Sequence, residues 1–271
     1  MQAMTPLPVF SIASVTPTIC TLFGIEPPSN CVAPPFSFSS VSRAPEVQRG
    51  LVFAADAIGA RLLKSYASDF EPMLKHAPLI VDAHAVMPSV TPVCFASMFT
   101  GAPPEVHGIR KYEKPILTCD TLFDAMSRAG RRVALVAVEG SSMDRIFRNR
   151  DIDYFTEKYD QEAVEQAHRV IIEDRHDLIV VYQQEYDDRI HATVPESPEA
   201  LRAMRNHVRN FDSLASAAGV RWADRPHVVA FVSDHGTHID PQTGRGTHGS
   251  DSPEDLEVKL FWSVKTSAGI R

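Results

Sequence analysis

Three short segments carry residues of the types that can ligate metal ions, and each follows an apolar run. Leu51-Val-Phe-Ala-Ala ends at Asp56. Leu178-Ile-Val-Val-Tyr leads through Gln183, Gln184, Glu185 and Tyr186 to Asp187, Asp188 and His191. Val228-Val-Ala-Phe-Val-Ser ends at Asp234-His235-Gly236. Carboxylates directly after a buried run need a partner or a cation, because an ionised group taken from water without one is costly. Mixed Asp and His donors suit zinc, with manganese second, whereas calcium takes oxygen alone. Asp187 and Asp188 are neighbours and face opposite ways if the segment is extended.

A nucleophile is offered by Thr91, in Pro88-Ser-Val-Thr-Pro92, just before a helical stretch ending at Gly101. A hydroxyl at a helix N-terminus is favoured as an alkoxide by the positive end of the dipole, and a bound metal lowers its pKa further. The other reading is that Thr91 is only an N-cap, for which threonine is a common choice. Local sequence leaves both open.

Elements of alternating type must bring these segments together. Leu51–Ala55, Leu79–Ala83, Arg132–Val138, Leu178–Tyr182 and Val228–Ser233 read as buried strands. Helices are expected at 57–76, 91–100, 120–130, 160–174 and 197–218, the fourth with Ala163, Ala167, Val170 and Ile171 at helical spacing. Repeated βα units imply an α/β three-layer sandwich, a central, mostly parallel sheet with helices on both faces. In such sheets, sites form at the carboxyl ends of strands, where the metal-type residues stand. Before this core, Thr16-Pro17-Thr18 opens a short helix that ends on Gly24, and 27–50, rich in Pro and Ser (Ser37, Ser39, Ser40, Ser42), reads as an extended connection. The chain therefore divides into 1–50, a helix and connection packing on the core, and 51–271, the core itself.

Composition narrows the partners. With 271 residues, 44% hydrophobic and 23% charged, the chain has the make-up of an ordinary globular protein. A formal charge of −7 argues against a nucleic-acid polymer as partner, since such binders carry a basic stripe. No run of about 18 apolar residues suggests a membrane span. Glu26 is the only charged side chain before Arg43, and Pro6, Pro8 and Pro17 interrupt the early apolar stretches, unlike a secretory signal. Cys20, Cys31, Cys94 and Cys119 are scattered and read as reduced thiols of a cytoplasmic protein, a Cys20–Cys31 disulfide being the alternative.

Taken in order, the motifs resemble the alkaline phosphatase superfamily, in its nucleotide pyrophosphatase/phosphodiesterase-like branch. They are Asp56 after the first strand, Pro-Ser-Val-Thr91-Pro…Thr-Gly101 with Pro104-Glu-Val-His-Gly-Ile109, Asp187-Asp-Arg-Ile-His191, Ser233-Asp-His-Gly236 and Gly246-Thr-His-Gly249. The resemblance spans roughly 51–264. It implies one divalent ion held by Asp56, Thr91, Asp234 and His235 and a second held by Asp187, His191 and His248, zinc first and manganese as the alternative. Asp187 is preferred over Asp188 because its spacing to His191 fits the family pattern. It further implies that Thr91 attacks phosphorus and carries the phosphoryl group as a covalent intermediate, with a small phosphate ester as substrate. His107 and His238 are expected to be structural.

Two departures stand out. Branch members commonly place an asparagine shortly after the nucleophile to donate to the phosphate; here the region reads Pro92-Val93-Cys94, so Cys94 occupies that place, and helix-start amides or Lys111, Tyr112 or Lys114 would have to contribute. The family's carboxyl-terminal Pro-Thr-Ile…Gly…Pro helix is matched here by residues 16–27, so the connectivity reads as a circular permutation. Sulfatases require a C/S-x-P-x-R setting that Thr91 lacks, and the 91–187 interval has no room for the mutases' second domain. A phosphonate hydrolase and a non-catalytic metal-stabilised binding protein are the alternatives.

Overall fold

Strict alternation along the central strands decides the architecture. A computed structural model describes residues 10–37 and 47–266; Pro6, Pro8, Ser39, Ser40 and Ser42 lie outside these. The strands are β1 (Phe10–Ser11), β2 (Arg49–Ala55), β3 (Leu79–His84), β4 (Val133–Val138), β5 (Asp153–Glu157), β6 (Leu178–Gln183), β7 (His227–Ser233), β8 (His238–Ile239), β9 (Gly246–Thr247) and β10 (Glu257–Lys265). Along β2, Val52 and Ala54 enter one apolar layer while Leu51, Phe53 and Ala55 enter the other; β6 and β7 divide the same way. A sheet apolar on both faces must be covered twice, which gives three layers.

Eight strands form the main sheet in the order β1-β3-β10-β7-β2-β6-β4-β5, and β8 pairs with β9 in a separate ribbon. All main-sheet pairs are parallel except those of β10, which runs antiparallel to β3 and β7. The three strands that precede metal-type residues, β7, β2 and β6, are consecutive in space. Register pairs Ala55 with Ser233 and with Gln183, so the strand ends finish level.

The helices are α1 (Val15–Phe23), α2 (Ala60–Ser65), α3 (Glu71–His76), α4 (Thr91–Thr100), α5 (Pro104–His107), α6 (Leu122–Arg128), α7 (Ser142–Ile146), α8 (Asp160–Glu173), α9 (Glu185–Ala192), α10 (Pro198–Arg221) and α11 (Pro253–Leu256). The single helix expected over 57–76 is two, α2 and α3, separated by a 3-10 turn at Ala67–Phe70. Pro72 explains the break, since proline is tolerated only in a helix's first turn. Residues 185–192, to which no element was assigned above, form α9. One layer contains α1, α4, α6 and α7; the other contains α3, α8 and α10, with Phe53 and Phe231 stacked at 5.4 Å beneath α10's Phe211. Burying such a phenyl ring stabilises by about 2–3 kcal/mol.

Helix α1 ends at Gly24 in the left-handed conformation, and its Ile19 and Phe23 share a layer with Trp262 of β10. Phe36, beyond α1, packs edge-on against Trp262 at 5.9 Å. All four cysteines are free thiols. Among the described residues no helix is long and apolar enough to cross a membrane.

Candidate active site

At the level ends of β7, β2 and β6, six side chains gather into two groups. One consists of Asp56, Asp234 and His235, all buried; the other of Asp187, His191 and His248, of which His191 is exposed. Asp56 and Asp234 follow β2 and β7 directly. Asp187 and His191 lie one turn apart on α9, so the helix points both the same way and sends Asp188 aside, toward Gln184 at 3.2 Å. His248 arrives from the loop after β9, which presses against α9 at Gly246; a side chain there would meet the Ile190 carbonyl oxygen at 2.7 Å. Gly236 likewise allows its backbone to run against the Glu254 carbonyl.

Thr91 stands between these groups and the helix it opens. Its Oγ1 is 3.4 Å from Asp56 Oδ1 and 3.4 Å from His235 Nε2. The N-cap of α4 is Val90, and Thr91 is the helix's first residue with no capping bond. The hydroxyl is therefore directed at the carboxylate and imidazole rather than spent on the helix end.

Hydrogen bonding fixes the imidazoles. Nδ1 of His235 faces Gly236 O at 2.9 Å, Nδ1 of His191 faces Gly246 O at 3.1 Å, and Nδ1 of His248 faces Ser89 O at 3.0 Å. A carbonyl accepts only, so each Nδ1 carries a proton, and a ring that has lost its second proton presents an Nε2 lone pair inward. Those lone pairs meet further acceptors. His235 Nε2 lies 3.1 Å from Asp234 Oδ2; His191 and His248 Nε2 lie 3.2 Å from each other and 3.4 Å from Asp187 Oδ1. Asp234 Oδ2 and Asp187 Oδ1 are buried without a hydrogen bond. Electron pairs converging on orphaned carboxylate oxygens fit a shared cation, and the imidazole–carbonyl bonds are the outer contacts that orient histidine ligands.

Electrostatics agree. Burial, the charge of Asp234 and that of Asp187 raise the Asp56 carboxyl well above its usual range, opposed by a hydrogen bond donated by Tyr182 to Oδ2. Burial and Asp187 raise Asp234 similarly, although Ala57 N–H and His235 N–H donate to its Oδ1 at 3.1 and 2.9 Å. Burial, then the neighbouring His248, holds His235 well below its ordinary value. Asp187 is pushed the other way: burial opposes it, but the His191 and His248 imidazoles hold it below the carboxylate range, and Asp187 in turn raises His191. Two carboxylates that resist ionising side by side are what a divalent ion relieves.

A cavity of about 140 Å³ opens beside Thr91, lined also by Tyr112, Lys114, Ser141, Tyr182 and Asp188. Tyr112 and Lys114 thus reach the site, with Lys114 Nζ donating to Gly140 O at 3.0 Å and lying 5.7 Å over the Tyr112 ring. Cys94 does not: its thiol is fully buried and donates to Val86 O at 3.6 Å. Nor are the helix-start amides generally free. Pro92 has none, and those of Val93 and Cys94 donate to Val90 O. Neither His107, which faces Ser97 Oγ at 2.9 Å, nor His238, which faces Asp255 Oδ1 at 2.7 Å, joins either group. Sequence reasoning missed Tyr182, whose phenol among valines was the available signal, and Ser89, whose carbonyl orients His248.

Residues 51–243 match the family model for type I phosphodiesterase/nucleotide pyrophosphatase. No curated protein matches the chain. Among solved structures, phosphonoacetate hydrolase from Sinorhizobium meliloti 1021 in complex with phosphonoformate is 20% identical, with TM-score 0.55, over 74% of this chain and 59% of that one. Murine ectonucleotide pyrophosphatase/phosphodiesterase 5, an inactive form in complex with AMP, is 17% identical, with TM-score 0.56, over 72% and 59%. The C-terminal periplasmic domain of EcEptC from Escherichia coli, in complex with Zn, is 15% identical, with TM-score 0.55, over 91% and 78%. The matched part spans about three fifths of the length of the first two. These likenesses establish the alkaline phosphatase-like fold.

Proposed function

The chain belongs to the type I phosphodiesterase/nucleotide pyrophosphatase family, and we propose that it is a metal-dependent hydrolase of phosphoric esters that works through a covalent phosphothreonine at Thr91. The observation that carries this reading is the position of Thr91 Oγ1, 3.4 Å from Asp56 Oδ1 and from His235 Nε2, on the wall of the polar cavity.

Asp56, Thr91, Asp234 and His235 would hold one divalent ion and Asp187, His191 and His248 another, zinc or manganese by donor type. When bound, such ions supply positive charge against phosphoryl oxygens and lower the pKa of a coordinated hydroxyl or water. Thr91 attacks phosphorus in line as the bond to the leaving oxygen opens, and water later releases the phosphoryl group from Thr91. Tyr182 orients Asp56 through its hydroxyl. Lys114 presents the cavity's cationic side chain, and Tyr112 and Ser141 offer hydroxyls to a small polar substrate. A cytoplasmic setting is supported by the four free thiols.

The substrate is read as a small phosphate ester, mono or di. A phosphonate hydrolase is the second reading, favoured by the likeness to phosphonoacetate hydrolase. Turnover of p-nitrophenyl phosphate, bis-p-nitrophenyl phosphate and phosphonoacetate with added zinc or manganese tests both. Hydrolysis of either nitrophenyl ester supports the ester reading, and release of phosphate from phosphonoacetate alone supports the second. No turnover of any with either metal favours a metal-stabilised binding protein.

A further inference from the structure

We infer that Asp160 and His207, neither of them a metal-type ligand of the site, are positioning residues that fix helix α9 and with it Asp187 and His191. The inference rests on the reading that Asp187, His191 and His248 hold a cation.

A helix begins with amide donors that have no partner within it, and a residue at the N-cap normally turns its own side chain back to them. That local solution is closed to α9. Its N-cap, Gln184, has φ −122° and ψ −6° instead of the extended conformation, makes no side-chain cap, and sends its amide group to Asp188. The donors are met instead by side chains from two other helices. Asp160, in the first turn of α8, accepts from Gln184 N at 3.1 and 3.0 Å and from Glu185 N at 2.8 Å. His207, fully buried in α10, accepts from Tyr186 N at 3.1 Å through Nε2. Three consecutive amides are thereby held from outside.

The same helices hold the strand end. Gln183 Nε2 donates to the Asp160 carbonyl at 2.8 Å, and Asn210 Nδ2 donates to Gln183 Oε1 at 2.7 Å. Burial keeps His207 neutral, its pKa lowered to about 3, so Nε2 is an acceptor; burial raises the Asp160 carboxyl to about 7, opposed by the bonds it accepts from the Gln184 and Glu185 amides at the helix's positive end. The geometry matters because the second ligand group is assembled from separate parts. Asp187 and His191 ride on α9, while His248 comes from the loop after β9, so a small shift of α9 separates them.

The test combines metal titration with amide hydrogen exchange. Asp160→Ala is expected to weaken the second zinc equivalent about 10- to 100-fold, the usual effect of removing a residue that orients a ligand, while leaving the first within threefold. Exchange at Gln184 and Glu185 should accelerate, and Asp160→Asn should restore most of both. His207→Leu, the variant to use if Asp160→Ala does not fold, should expose the Tyr186 amide and weaken the same zinc. Unchanged affinity of the second equivalent in a folded variant overturns the inference, as does rapid exchange of these three amides in the unmodified protein. Fewer than two zinc equivalents bound by the unmodified protein overturns the metal reading itself, whereas exchange reports on the cap without any metal.

Discussion

The imidazoles of His235 and His248 lie face to face, with ring centroids 4.0 Å apart and planes 24° from parallel. One belongs to the group around Asp234 and the other to the group around Asp187, so the stack joins the two. His248→Ala should weaken the second zinc equivalent by about 100-fold or more, beyond the effect of an outer contact, and the first by a smaller factor through loss of packing. Competition with a chromophoric chelator measures both. Equal loss of both equivalents would show that the groups do not bind separately.

Thr91→Ala should lower turnover by on the order of 10³ or more, the scale for removing a nucleophile, while zinc content stays near that of the unmodified protein. Acid quenching during turnover should trap phosphate on the unmodified chain and none on the variant. Activity within tenfold of normal would dismiss Thr91 as nucleophile.

Asp234→Asn should stabilise the metal-free protein at pH 8. The carboxyl is raised above its unfolded value of 3.8, so its contribution to stability is greatest below that value and is lost as pH rises through the raised one. Asparagine cannot ionise, keeps an oxygen for the Ala57 and His235 amides, and places an N–H donor where Oδ2 stands 3.1 Å from His235 Nε2. Melting in the presence of EDTA should rise by a few degrees at pH 8, about 2–4 °C for each kcal/mol, with the gain shrinking toward pH 4. A lower melting temperature at pH 8 would contradict the repulsion argument.

Zinc binding at pH 7 should release protons. Asp56, Asp234 and His191 all have raised values, so each gives up its proton less readily than usual, and a cation favours the deprotonated form of each. Calorimetry in two buffers of different ionisation enthalpy counts them, and dialysis should strip metal below roughly pH 5, under the ordinary histidine range. Identical heats in both buffers, or full occupancy at pH 4, would contradict this.

Tyr182→Phe removes the donor to Asp56 Oδ2. First-equivalent affinity should fall about 10- to 100-fold, and the metal-free protein should lose about 1–2 kcal/mol by urea denaturation, since a buried acceptor is left unsatisfied. Unchanged affinity would mean that Asp56 is oriented without the phenol.

Most of the strands read from sequence are buried on both faces, because continuous apolar runs such as 228–232 admit little else; β3 is legible from its apolar run too, but it is partly exposed, with Ile80 open to solvent. Edge strand β5, Asp-Tyr-Phe-Thr-Glu, is half exposed, and no such run announces it. The choice between Asp187 and Asp188 could not come from the residues alone, since α9 has too few apolar positions to declare itself a helix; once it is one, Asp187 alone faces His191 and His248. Cys94 illustrates the opposite error: position in a motif put it beside the substrate, whereas its thiol is fully buried and donates to Val86 O. The caps from Asp160 and His207 join residues distant in the chain, and no local pattern encodes them.

The contiguity of β7, β2 and β6 has a consequence for biogenesis. Ala57 and Asp234, which touch in the finished site, are 177 positions apart. A growing chain must therefore complete the middle of its sheet before the first ion can be gripped. In the proposed metal site, ion binding would then follow the completion of the central strands.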